Sequence, residues 1–376
     1  MKRNGKIDFY KFIMALVVMF LHSKVFALDE NAINVTFRLF KRGGLAVEFF
    51  FIVSGYLMAL HVFNEMQLKS ECPTVNLAMQ TQEFIVGKVR AIMPDYLIAW
   101  LISFIVMMVK ESRGTISGIV SRILDAIYEP LLIHMSGLGH YRTNGVVWYI
   151  SAMLISMAVI YPMLRRYFHM FTKVVAPLIA VILLGMIYRI NTTTVDVTET
   201  VFDSFLYLGL VRAFAELCLG VACYDIIEKI KVVDFTLLGK VCISVMETVS
   251  FILALGYMQF GHSEKHDMVI ILPIAIMIIF AFSHQGLLAK LFDNNVCHLM
   301  GRYSLSIYLS HVYWARLLGS TKVILPYRNE MILYVLLVFT NSVFLLLISR
   351  LISRNIAFIR SNMKRLIIDD EKQSNR

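Results

Sequence analysis

Apolar runs recur along the whole chain, separated by short polar segments. Their spacing predicts ten helical spans, at 9–27, 46–63, 95–110, 147–164, 171–188, 205–225, 238–257, 268–283, 304–320 and 331–352. A helix needs about 20 predominantly apolar residues to cross a hydrocarbon core roughly 30 Å thick. The third and eighth spans fall short of that and are expected to borrow interfacial residues. Residues 116–135 are a weaker stretch, broken by Arg122, Asp125, Glu129 and Pro130, and read as an amphipathic or re-entrant element. A transmembrane β-barrel would instead show shorter segments of alternating polarity. The pattern predicts an all-α polytopic membrane protein, a bundle of about ten transmembrane helices. It forms a single domain, with a core over 7–352 and a basic tail over 353–376.

Composition agrees. Of 376 residues, 58% are hydrophobic and only 16% charged, where a soluble domain carries about 25% charge. Basic residues then orient the bundle. With the N-terminus inside, the inner segments hold 20 of the 36 Lys and Arg residues, seven of them from Arg350 onward. The outer segments hold 12, and four fall within spans. This bias predicts that both termini are cytoplasmic. The net charge of +10 is therefore mostly an inner-leaflet feature, and nucleic-acid binding is not expected. The first span resembles a signal peptide, but His22 and Lys24 interrupt its end and Asp8 and Lys11 flank its start, so a retained helix is expected. The five cysteines show neither paired nor metal spacing, and no metal is expected.

Polar residues inside apolar runs change the picture most. In KFIMALVVMFLHS, ten apolar residues separate Lys11 from His22. Eleven positions at 3.6 per turn put both on one helix face, roughly 16 Å apart, with Asp8 one turn before Lys11. A titratable group at that depth is costly and normally faces the bundle interior or a watery cavity. The plainer reading is that Lys11 snorkels and His22 bonds a neighbouring helix. In the second span, GGLAVEFFFIVSGYLMA, Glu48 falls at a depth similar to His22, where a carboxylate would orient an imidazole. The Ser54–Gly55 pair lets another backbone approach closely.

Other intramembrane groups stay open at this level. Arg212 and Glu216 at i,i+4 read as a buried ion pair or as part of an acceptor path. Glu247 has no evident partner. Ser304, Tyr308 and His311 share a face and either line a tunnel or tie helices together. Trp148, Tyr149 and Trp314 read as interfacial belt residues. His134, His140, Tyr141 and Arg142, in HMSGLGHYRTNG, could contact sugar hydroxyls or simply be solvated. His262 and Asp267 match a His-x4-Asp spacing by chance, in a short outer loop.

The polar motifs together resemble the acyltransferase 3 family of bacterial integral membrane acyltransferases. Asp8, Lys11 and His22 are similar to its acid followed by Arg-x10-His, with lysine in place of arginine. Gly44, Glu48, Phe50, Phe51, Ser54 and Gly55 resemble its second-helix motif, and KVRAIMPDYL its basic segment ending in Pro-x-Tyr. The family arginine three residues before that proline is Ala91 here, with Arg90 one residue away. GVVWYISAMLISMAVIYPML resembles the Trp-Tyr-Leu-Ser segment, but Ala152 and Met153 stand where many members have glutamates. Gly301, Ser304, Tyr308 and His311 resemble the late Gly-x-x-Ser-x-x-x-Tyr-Leu-x-His motif.

The resemblance implies transfer of an acyl group, commonly acetyl, from a cytoplasmic acyl-CoA donor. The acceptor would be a hydroxyl of a surface polysaccharide, an oligosaccharide or a lipid-linked glycan. It places the protein in a bacterial inner (cytoplasmic) membrane, without a resident cofactor. Acyl-CoA is polyanionic, and Lys11, Lys88, Arg90 and Arg302 near the inner face suit its phosphates. Ser304, Tyr308 and His311 would line its path. His22, with Glu48 beside it, would act as a base or carry the acyl group covalently. A proton-coupled transporter or glycan flippase is the alternative, against which the chain shows no internal repeat.

Overall fold

In the computed structural model the described residues are 3–23, 39–68, 76–110, 115–138, 143–191, 194–262, 264–318 and 327–374. Lys24, Lys69, Cys72, His140, Tyr141 and Arg142 lie outside them. Helix α1, Gly5–His22, begins where the Asn4 side chain accepts from the Lys6 and Ile7 amides. There follow α2 (Ala46–Leu68), α3 (Leu77–Lys110), α4 (Ile116–Ala126) and α5 (Trp148–Arg166). A π-helical turn, Phe171–Val175, leads into α6 (Ala176–Asn191). Then come α7 (Leu208–Lys231), α8 (Leu237–Phe260), α9 (Ile271–Ser283), α10 (Asn295–Leu318) and α11 (Tyr327–Ser374). Before α7, Val201–Phe202 and Leu206–Tyr207 pair as an antiparallel hairpin, Val201 opposite Tyr207.

The long helices, all but α4, fall on the ten predicted spans. Among the described residues, seven helical stretches are long and apolar enough to cross a membrane. The long helices outside that set are α1, α7 and α10, the ones carrying Lys11 and His22, Arg212 and Glu216, and Ser304 to His311. All three are largely buried among their neighbours. Polar helices in the interior and apolar ones outside is the arrangement a bilayer requires.

Three elements extend beyond the predicted spans, the third and eighth by borrowing flanking residues as expected. The third span is not short: α3 runs through the basic segment as one helix, with Pro94 inside it. The eighth is lengthened by a 3-10 turn, Glu264–Ile270. The tail from 353 is not separate, since α11 continues through it to Ser374. The 116–135 stretch contains α4, which exposes Ile116, Val120, Ile123 and Leu124 while burying Arg122. Its apolar face thus points outward, as on a helix lying at a lipid surface.

Two crossings hold the centre. Helix α1 packs along α10, and α2 along α7. On the second, Gly55 and Gly220 face each other's helix: a Cβ on Gly55 would strike the Leu217 carbonyl, and one on Gly220 the Ile52 carbonyl. Without a hydrophobic drive between helices in lipid, such close backbone contact supplies the packing energy.

Candidate active site

A cavity of about 340 Å³ opens between α1, α2, α3, α5 and α10. Lys11 and Lys88 supply its cations, and Ser54, Ser304 and Gly301 its small polar wall. Phe50, Leu57, Tyr149, Met153, Leu305 and Tyr308 make the rest largely apolar. Helical phase explains this membership. Because α3 is one continuous helix, Lys88 and Arg90 sit 200° apart by 3.6 residues per turn. Lys88 therefore faces the cavity while Arg90 is exposed. On α10, residues 301, 304, 305 and 308 share the cavity face, and Arg302 is exposed.

A second cavity, of about 450 Å³, shares Lys88 and Ala91 with the first. Gln80, Glu83, Phe84, His61, Glu65 and Tyr161 line it, Phe84 stacked on Tyr161 with centroids 4.4 Å apart. The Lys88 ammonium lies 5.3 Å above the Phe84 ring. Ala91, where the resembled family carries arginine, borders both spaces with the smallest side chain.

The first cavity ends on an aromatic wall. Phe50, Tyr149 and Tyr308 meet with centroids 5.8–6.3 Å apart, and the Tyr308 hydroxyl donates to the Val146 carbonyl at 2.7 Å. The Tyr308 ring lies 5.9 Å from His311, and His311 lies 5.1 Å from His22. Each histidine has its Nδ1 against the carbonyl one turn back on its own helix: His22 on Val18 at 2.9 Å, His311 on Ile307 at 3.1 Å. A ring nitrogen facing a carbonyl must carry the proton. Both Nε2 atoms therefore hold the lone pair when the rings are neutral. His311 is wholly buried and His22 partly so.

Glu48 does not take the place expected beside His22. Its carboxylate is wholly buried and turned to Arg212, whose Nη2 donates to Oε1 at 2.6 Å. The same guanidinium reaches Asp196 at 2.9 Å, Glu216 at 3.3 Å and the Gly44 and Val197 carbonyls. So Arg212–Glu216 is one edge of a larger cluster that joins α2, α7 and the loop carrying Asp196. Only a planar fork of five donors can serve that many acceptors, which is why arginine occupies the position. The ring beside His22 is His311 instead.

Several other residues also find partners that spacing did not show. Trp148 is no belt residue: it is buried, with Arg212 stacked 5.6 Å over its ring. Tyr149 likewise lines the cavity. Glu247 accepts from Lys6 at 2.6 Å and from the Tyr10 hydroxyl at 3.0 Å. Lys6 is therefore a buried ion-pair partner. Asp8 pairs with Arg3 and lies 3.0 Å from His298. Asp267 is buried, bonded by Thr194 and Tyr257, while His262 is exposed, so the His-x4-Asp pair does no joint chemistry.

On the other side of α10, Glu129 ties down the loop before α5. It accepts from the Thr143 amide at 2.6 Å and from Trp100 Nε1 at 3.0 Å. Burial pushes its carboxyl up to about 7, against the lowering effect of those donors. Asn144 then donates to the Leu309 carbonyl at 2.9 Å, which seats that loop on α10 near His311.

Among the described residues no group of three or more His, Cys, Asp or Glu side chains could hold a metal ion. The residues that spacing alone did not reveal are Asp196, Tyr149 and Lys6. Asp196 comes from a loop whose approach to the helices is a tertiary matter, and the other two take partners on distant helices. In comparison with known families, a family model described as an acyltransferase domain matches residues 4–351. No curated protein and no solved structure matches the chain.

Proposed function

Because the chain belongs to the acyltransferase 3 family, it is a multi-pass membrane acyltransferase, and we propose that it moves an acyl group, most simply acetyl, from cytoplasmic acyl-CoA to a hydroxyl of a cell-surface or lipid-linked glycan. The observation that carries this reading is a cationic, largely apolar cavity whose aromatic end abuts His311, which in turn lies ring to ring with His22. Lys11 and Lys88 hold the phosphate-bearing part of the donor by charge-assisted hydrogen bonds. Exposed Arg90 and Arg302 draw the polyanion toward the entrance. The apolar arm runs past Ser304 and Leu305 to Tyr308. His22, with its lone pair on Nε2, takes the proton of the attacking hydroxyl.

Glu48 acts here through Arg212, by fixing α2 against α7 and the Asp196 loop, and thereby the mouth through which the acceptor enters. The protein sits in a bacterial inner membrane, both termini in the cytoplasm, with the lipid bilayer and the glycan as its partners. It handles no nucleic acid and no resident cofactor.

The test is single-turnover transfer from labelled acetyl-CoA to a glycan acceptor in vesicles, beside a thermal-stability control. His22→Ala is expected to cut transfer at least about 10²-fold, the lower end for positioned acid–base groups. Its fold should persist, since an interhelical hydrogen bond in a membrane averages about 0.6 kcal/mol. Near-normal turnover in a folded His22→Ala protein would sink the proposal for His22.

A further inference from the structure

We infer that His311 is a second acid–base group of the reaction, relaying the acceptor's proton from His22 to the donor's sulfur. The inference rests on the reading above and adds a residue that so far only borders the path.

The transfer has a proton problem. A bond forms between the acceptor oxygen and the acyl carbon, the carbon–sulfur bond breaks, and its electron pair leaves on sulfur. The hydroxyl's proton must end on that thiolate to give the free thiol. The donor enters through the cavity of Lys11 and Lys88, whereas His22, at the last residue of α1, lies beyond its aromatic wall. A base that meets the acceptor there is badly placed to protonate sulfur arriving from the cavity side.

His311 fills the gap. Its ring lies 5.9 Å from Tyr308, which lines the cavity, and 5.1 Å from His22. At that ring separation two imidazole nitrogens can come within hydrogen-bond distance once a proton lies between them. The Nδ1 of His311 is committed to the Ile307 carbonyl. Its Nε2 is buried and has no hydrogen-bond partner among the described residues. A histidine kept only to tie helices would use that nitrogen, because an unpaired buried polar atom is costly. The backbone nearby is also held still: the Tyr334 hydroxyl donates to the carbonyls of Met19 at 3.0 Å and His311 at 3.4 Å, fastening α11 to both histidine-bearing helices. In sequence, the proton passes from the hydroxyl to His22 Nε2, then to His311 Nε2, then to the thiolate. Each imidazole returns to its starting tautomer, and no further reactant is needed.

The test compares donors that differ in how much their sulfur needs a proton. With acetyl-CoA, His311→Gln is expected to slow single-turnover transfer about 10²-fold relative to wild type. With an acetyl thioester of an acidic aryl thiol, whose thiolate leaves unprotonated, the same variant should come within about 3-fold of wild type, since general-acid help follows Brønsted behaviour. An equal loss with both donors would make His311 structural and overturn the inference. So would a normal rate with acetyl-CoA. Loss on His22→Gln with a normal His311→Gln leaves the function standing and removes only the relay. If His311→Gln does not fold, wild-type transfer in mixed light and heavy water decides. Two protons in flight give a curved dependence on deuterium fraction, and a straight line overturns the relay.

Discussion

At the residue scale, charge placement separates donor contacts from surface charges. Lys88 lines both cavities and Arg90 is exposed, although only two positions separate them. Lys88→Ala is therefore expected to raise the KM for acyl-CoA roughly 10- to 100-fold with a smaller change in kcat, the effect of losing a charged hydrogen bond of about 1.5–3 kcal/mol. Arg90→Ala should change it much less at physiological salt, because screened surface charges contribute little. Initial-rate kinetics of both variants check this, and a larger effect for Arg90 would place the phosphates outside the cavity. Glu129 provides a pH prediction. Its carboxyl is raised from 4.5 to about 7, so the folded protein holds a proton that the unfolded chain has lost between those values. Stability should fall as pH rises from about 5 to 7 and then level off, by at most about 3 kcal/mol. Detergent-phase melting of wild type and Glu129→Gln across that range should differ in slope, the variant losing less stability as pH rises.

At the element scale, the α2–α7 crossing is the joint on which the site depends. It carries Phe50, Ser54 and Glu48 on one helix and Arg212 and Glu216 on the other. Since a Cβ on Gly220 would collide with backbone rather than with a side chain end, no rotamer change relieves it. Gly220→Val is expected to push the helices apart, lower the melting temperature, and reduce transfer with it; overpacking of this kind costs about 1–3 kcal/mol or more. Gly256, with open space around it, is the control, and Gly256→Ala should be nearly silent. A harmless Gly220→Val would mean the crossing is looser than its geometry.

At the scale of the whole molecule, the polar helices α1, α7 and α10 are wrapped by helices apolar enough to face lipid. That wrapping makes a water-accessible reaction path possible inside a bilayer. The loop charges predict which way the bundle faces. In a variant cleared of native cysteines, a single cysteine at Thr200 and one at Lys372 are expected to react with impermeant reagent from opposite sides, the tail from inside. Labelling of both from one side would invert the donor and acceptor faces of the proposed reaction.

How much was legible in the chain follows from the range of each interaction. Span number and position are local, because twenty apolar residues in a row have one stable answer in lipid. Helix phase is local too, so Lys11 with His22, and Ser304 with Tyr308, could be grouped from spacing alone. Partner choice is not local. Spacing predicts Glu48 and His22 at similar depths, yet nothing in it says that Arg212, 164 positions on, claims the carboxylate while His311 comes to the imidazole. Lys6 counts in the sequence only toward the loop charge, and in the fold it is the counter-ion of Glu247. The sequence by itself determined the membrane class, the helices and the polar face of each. Only the tertiary structure decided which polar faces meet, because a buried charge takes whichever opposite group the packing of distant helices brings within hydrogen-bond reach.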